Sequence, residues 1–66
     1  MSKFEVLYNE NGDTKRRILY AESCILKGSR YILWDADSLF VDEFEKSDLV
    51  KLINLNSGKV IFTKKR

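Results

Sequence analysis

The first candidates for chemistry in this chain are a single thiol and a pair of carboxylates. Cys24 lies between Ser23 and Ile25, and the chain has no histidine to activate it. A thiol in such an apolar stretch is typical of a small, partly buried hydrophobic residue. Asp35 and Asp37 would face the same side of a strand, but acid–base chemistry also needs a cleft, for which 66 residues leave little room. We therefore expect no enzymatic activity.

The stretch 35–38 resembles a metal-binding loop only in part. Its oxygens at alternate positions resemble the start of a calcium loop, but Phe40 stands where that loop needs glycine and Lys46 where it needs glutamate. With one cysteine and no histidine, the chain also lacks the usual ligands of a structural zinc. The three glycines are isolated, so a phosphate-binding loop is not indicated. The sequence predicts no metal and no other cofactor.

Charge is sorted along the chain. Residues 35–48 carry six acidic side chains against Lys46 alone, a net charge of −5, whereas residues 49–66 carry five basic side chains and no acidic one. The total of +2 therefore hides an acidic middle and a basic end. Such a pattern serves the choice and orientation of partners more than stability. The acidic positions are Asp35, Asp37, Asp42, Glu43, Glu45 and Asp48.

We predict that this acidic stretch is the recognition surface of a small, non-enzymatic module that binds a basic protein surface. Carboxylates at this density repel phosphate and attract Lys and Arg side chains. They could also occlude a nucleic-acid-binding groove by imitating the spacing of phosphates. An inhibitor, adaptor or regulator of the kind that phages and other mobile elements encode suits this size. The alternative interpretation is a solvated edge that keeps a sheet from aggregating.

Two further hypotheses use the basic residues. In one, a small β-barrel binds single-stranded nucleic acid and stacks bases on exposed aromatic side chains, although a core this small needs most of its aromatics. Its phosphate contacts would be Lys15, Arg16, Arg17, Lys64, Lys65 and Arg66, and its aromatics would come from Tyr20, Tyr31, Trp34 and Phe62. In the other, the chain forms a structural homodimer or higher oligomer in which the acidic stretch of one copy meets the basic end of the next.

The elements that position these residues are predicted by the period of the hydrophobic pattern. Apolar residues alternate with a period of two between short turns, which indicates strands. Arg30–Trp34 is apolar on both faces, as a central strand would be. In the segment that follows, alternation places Phe40 and Phe44 on one face, and in the last segment it places Val60 and Phe62 together.

Five turns separate these segments. Gly12 and Gly58 each end an Asn-rich turn, which predicts two hairpins with a type I turn closed by a left-handed glycine. The other turns fall at residues 27–29, 35–38 and 45–48. Residues 47–54 fit either a short helix capped by Ser47 or a strand within Val50–Leu55, and the strand is preferred because the last hairpin requires it.

About five to six short strands predict one all-β domain over residues 1–66. It would be an antiparallel meander that forms a small barrel of SH3-like or OB-like size, or a curled open sheet. So short a chain buries only about 60 % of its unfolded surface, so pairing of an edge strand in a dimer would add needed stability. No apolar run is long enough to cross a membrane, the first residues lack the pattern of a signal peptide, and one cysteine suits a reducing compartment. We expect a cytoplasmic protein without membrane partners.

Overall fold

A computed structural model of the chain describes residues 1–64, which form seven strands and one short 3-10 turn. The prediction of an all-β domain is confirmed over these residues. The elements are β1 (Ser2–Glu10), β2 (Asp13–Ala21), β3 (Ser23–Lys27), β4 (Arg30–Trp34), β5 (Phe40–Glu45), the 3-10 turn (Lys46–Asp48), β6 (Leu49–Asn54) and β7 (Lys59–Thr63). Across residues 1–64, no helix is long and apolar enough to span a membrane.

The strands are arranged in two antiparallel sheets, and the part of the chain that is described does not close into a barrel. The first sheet has the order β2-β1-β6-β7, and the second has the order β3-β4-β5. The pairs β1–β2, β3–β4, β4–β5 and β6–β7 follow the predicted meander, but among the described residues β2 does not pair with β3 and β5 does not pair with β6. Instead β1 pairs with β6, which places the first and the sixth strand side by side. Only Glu22 separates β2 from β3, so one nearly continuous segment passes from the first sheet into the second.

The hydrophobic core lies between the two sheets and draws on both of them. Leu33 in the second sheet and Leu52 in the first are fully buried, and each adds the stabilisation of a completely desolvated aliphatic side chain. Every residue of the core is less than ten per cent exposed. The core consists of Phe4, Val6, Ala21, Tyr31, Leu33, Phe44, Leu49 and Leu52. A core of this size needs all of these contacts, because the margin of stability of so short a chain is thin.

A bulge in β5 changes which face its side chains occupy. The ladder pairs Trp34 with Phe40 and then continues at Asp42, so that Val41 is an extra residue. Phe40 is therefore 56 % exposed while Phe44 is buried, and the prediction that the two share a face is wrong. A bulge of the same kind is present in the last strand.

In β7 the ladder skips Ile61. Phe62 pairs with Leu52 and packs against the core, whereas Val60 pairs with Ile53 and is 48 % exposed. The prediction that Val60 and Phe62 lie together is therefore also wrong. In both strands an inserted residue interrupts the period of two, which sequence alternation alone assumes to continue.

All five predicted turns are present, with one difference in type. The loop between β1 and β2 consists of Asn11 and Gly12, and both have a positive φ (52° and 84°), which is the signature of a type I′ turn and not of the expected type I. In the β6–β7 loop the Gly58 N–H donates to the Asn54 carbonyl at 2.8 Å with φ at 75°, as expected. The ambiguous region 47–54 is mainly strand β6, preceded by the 3-10 turn, so the preference for a strand is confirmed.

Candidate functional site

An open groove of about 550 Å³ lies between the β1–β2 hairpin and β5. Five carboxylates and two guanidinium groups line it, which leaves a formal charge of −3. Four of the six acidic residues singled out in the sequence are brought together here. The charged lining consists of Glu10, Asp42, Glu43, Glu45 and Asp48 with Arg17 and Arg30.

One side of the groove is the outer edge of β5, the side that faces away from β4. The Lys46 N–H donates to the Ser29 carbonyl at 2.8 Å and so continues the ladder between β4 and β5. In an antiparallel ladder, residues that bond across alternate with residues whose backbone groups point the other way. Because Lys46 bonds on the β4 side, the alternating residues Glu45 and Glu43 direct their N–H and C=O groups to the outer edge.

Asp42 lies at the middle of this edge and binds on two sides. Its Oδ1 accepts a hydrogen bond from the Glu43 N–H at 2.8 Å, as expected for an N–H that points away from β4. Its Oδ2 accepts from Arg17 Nη1 at 2.6 Å, so that the pair connects β2 in the first sheet with β5 in the second. Both side chains are partly exposed, and such a pair stabilises the fold by only about 0–1 kcal/mol.

Arg30 holds the other two carboxylates of β5. Its Nε donates to Glu45 Oε1 at 2.5 Å, and its Nη1 lies 3.7 Å from Glu43 Oε1. The hydroxyl of Ser29 donates to the second oxygen of Glu45 at 2.9 Å. The hydrogen bond from Arg30, followed by that from Ser29, lowers the pKa of Glu45, and Glu45 in turn raises the pKa of Arg30. Glu45 therefore stays ionised throughout the physiological range.

An aromatic pair lies next to these charges. The rings of Tyr8 and Phe44 have their centroids 5.4 Å apart and are tilted by 50°. Alternation in β5 turns Phe44 and Asp42 to the core side of the sheet, while Glu43 and Glu45 lie on its outer face. Phe44 is itself buried and Tyr8 is half-buried, so the groove combines carboxylates with an apolar surface to which the Tyr8 ring contributes most of this pair's exposed part.

The acidic stretch does not act as one continuous surface. Asp35 and Asp37 precede β5, in the loop after β4, and do not line the groove. Oδ1 of Asp35 accepts hydrogen bonds from the N–H groups of Asp37 and Leu39, both at 2.9 Å. This carboxylate therefore stabilises its own loop, as Asp commonly does in turns.

The basic run in β2 is neutralised residue by residue and divided between two faces. Strand alternation places Arg16 on the face opposite Lys15 and Arg17. Lys64 is exposed just after β7, and Lys65 and Arg66 lie outside the described residues. The ion pairs are Lys15–Glu10 (3.2 Å), Arg16–Glu5 (2.6 Å) and Arg17–Asp42 (2.6 Å).

The aromatic residues considered for base stacking are mostly engaged in packing. Tyr31 belongs to the core, and its ring contacts that of Phe62 with 5.8 Å between centroids. Trp34 is partly buried against Phe40, whereas Tyr20 is 57 % exposed on β2. The structure therefore does not gather the predicted basic and aromatic residues into one surface.

Cys24 is partly buried in β3, in keeping with its interpretation as a small hydrophobic residue. Burial raises the pKa of its thiol to about 11, so that the thiol stays protonated at neutral pH. Among residues 1–64, no group of three or more His, Cys, Asp and Glu side chains is arranged to hold a metal ion.

Compared with known proteins, the chain matches no family model, no curated protein and no solved structure. Its function has to be inferred from its own geometry. The groove beside β5 is the feature that combines charge, an apolar surface and an exposed strand edge.

Proposed function

We propose that the protein is a small binding module that recognises a basic segment of another protein in the groove beside β5. One observation carries the proposal: carboxylates distant in sequence converge with an aromatic pair on one open groove of net charge −3. Carboxylates form charge-assisted hydrogen bonds with Lys and Arg, and aromatic rings accept the aliphatic stems or the cation itself. An inhibitor, adaptor or regulator in the cytoplasm would have these properties.

The arginines of the groove show how such a ligand would be accommodated. Arg17 and Arg30 already occupy the carboxylates of β5 with guanidinium groups of the chain itself. Exposed ion pairs contribute little to stability, so exchange for a partner's cation costs little. The remaining negative charge of the groove accelerates encounter with a basic partner and disfavours an acidic one.

Binding of nucleic acid is less well supported. A phosphate backbone would meet the groove's negative charge, and the basic residues of β2 are already paired on two different faces. The homo-oligomer remains a prediction, and its most direct form would join the acidic groove to the basic end of a second copy.

The proposal is tested with a labelled, flexible lysine-rich peptide in a fluorescence anisotropy titration from low to physiological salt. Glu43→Gln removes a carboxylate from the groove, and Asp37→Asn removes one from the same acidic stretch outside it. We expect Glu43→Gln to weaken binding by about 1 kcal/mol, or fivefold, and Asp37→Asn to leave it nearly unchanged.

Equal losses in the two variants would contradict a groove-specific site and leave only a general effect of net charge. Absence of peptide binding at low salt, where electrostatic attraction is strongest, would contradict the proposal as a whole. A single-stranded oligonucleotide in the same titration serves as the matched negative ligand. Tighter binding of that oligonucleotide would favour the nucleic-acid hypothesis.

A further inference from the structure

We infer that the partner segment binds as an additional β-strand along the outer edge of β5, and that this strand alternates basic and apolar residues. This inference rests on the proposed function and specifies how the groove is used. It adds a requirement on the backbone of the ligand, which attraction between charges alone does not impose.

The outer edge of β5 is open to an additional strand. β5 is the outermost strand of the second sheet, and Glu43 and Glu45 turn their backbone groups away from β4. Exposed backbone groups of this kind are a template on which another strand can be added. The groove of about 550 Å³ runs beside this edge and offers the space for it.

The side chains of β5 alternate between the two faces of the sheet. On its outer face β5 presents Glu43 and Glu45, and on its core side it carries Asp42 and Phe44, of which Phe44 is buried and packs against Tyr8. Side chains of a paired strand lie beside those of β5 on the same face. A strand with Lys or Arg on one face therefore matches Glu43 and Glu45, and apolar residues on its other face would lie on the side of Tyr8 and Phe44, next to Asp42.

The same charges select against a second copy paired through its own β5. In such a pair, the carboxylates of Asp42, Glu43 and Glu45 would lie close to their counterparts, and like charges opposite each other destabilise a sheet. Pairing of two β5 edges is therefore disfavoured, and the charge of this edge favours a basic strand of another protein as the occupant.

The pair of Arg17 and Asp42 is the element that the incoming strand displaces. Asp42 holds the Glu43 N–H, and Arg17 reaches Asp42 across the groove. Removing Arg17 breaks the contact between β2 and Asp42, and it removes a cation that competes with the ligand for this carboxylate. We expect Arg17→Gln to tighten peptide binding about threefold, since it removes a weak exposed pair.

Arg16→Gln is the matched control for this variant. It makes the same change of charge one residue away, but Arg16 lies on the opposite face and pairs with Glu5. It is expected to leave binding unchanged. Equal tightening in both variants would show that net charge alone is responsible and would contradict the role of Arg17.

The decisive experiment compares three short labelled peptides that alternate lysine and valine. One is unmodified, one carries backbone N-methyl groups on every lysine, and one carries them on every valine. The N–H groups of a strand point alternately to its two sides, so only one set faces β5. We expect one methylated peptide to bind like the unmodified one and the other to lose at least tenfold in affinity.

Each other outcome overturns a distinct claim. If both methylated peptides bind like the unmodified one, or if both lose affinity equally, strand addition is wrong while recognition of a basic segment stands. If the unmodified peptide fails to bind at low salt, the proposed function itself is wrong. If the molecular mass of the protein's assembly in solution rises with concentration and falls in high salt, a second copy is the occupant and the proposed partner is wrong.

Discussion

The strands β5 and β7 each form an outer edge of one sheet, and they differ in charge and in surroundings. β5 carries three carboxylates, borders an open groove and has one N–H covered by Asp42. β7 begins with Lys59, is followed by Lys64, and carries mainly apolar residues between them. The β5 edge therefore repels copies of itself and suits a basic strand, whereas an edge-to-edge oligomer would use one of the other outer strands, β2, β3 or β7.

A common core holds both edges in place, so substitutions in this core should have the largest effect on the stability of the fold. Leu33→Ala beneath the second sheet and Leu52→Ala beneath the first should each destabilise by about 2–5 kcal/mol, because each side chain is fully buried. That is a large part of the stability of a small domain. Chemical denaturation followed by circular dichroism measures the loss.

Leu39→Ala is the control for these core variants, since Leu39 is 62 % exposed and should change stability by less than about 0.5 kcal/mol. If Leu33→Ala and Leu52→Ala were as mild as Leu39→Ala, the two sheets would not share the packed core on which the two edges depend.

The loops that lead into the two edges give the next effect. Gly58, before β7, has φ at 75°, and Ser38, before β5, has φ at 61°. Glycine adopts this region without steric cost while serine does not, so Gly58→Ser should destabilise by about 1 kcal/mol and Ser38→Gly should be neutral or slightly stabilising. The thermal midpoints of the two variants measure this. Opposite signs from those expected would show that the loops are not strained in this way.

The smallest effect concerns pH and is confined to the β5 side. The pKa of Glu45 is lowered in the folded protein by hydrogen bonds from Arg30 and Ser29. Its contribution to stability is therefore present at neutral pH and is lost as the pH falls below about 4.3, the value of an unperturbed Glu, through the folded pKa. Glu45→Gln should thus have a lower thermal midpoint at neutral pH, and the difference should shrink on acidification. A difference independent of pH would contradict this assignment.

Much of the fold could be predicted from local patterns. The alternation of β1 and the apolar character of β4 indicated these strands, and the Asn–Gly turns indicated both hairpins. β3 was missed, because Ile25 and Leu26 are about half exposed and the segment shows no clear apolar face. The extra residues Val41 and Ile61 could not be found from one strand alone, since a bulge is defined by the count of residues on the partner strand.

The candidate site could be predicted only in part, because it too depends on contacts between residues that are distant in sequence. The acidic stretch indicated the charge of the groove, but no local pattern showed that Glu10 and Tyr8 would join it from the first hairpin. The pair of Arg17 with Asp42 links two sheets, so it follows from tertiary structure only. Asp35 and Asp37 are close to the other acidic residues in sequence, but they lie in the loop before β5 and outside the groove.

The pairing of β1 with β6 has a consequence for how the protein forms. Phe4 pairs with Asn54, so the first sheet cannot be completed until β6 has been synthesised. Contacts between such distant residues slow folding, typically to milliseconds or longer. During translation the β1–β2 hairpin therefore has the β6-facing edge of β1 unpaired. The acidic segment leaves the ribosome before the basic segment that follows it. A nascent chain stalled before β6 should therefore remain sensitive to protease.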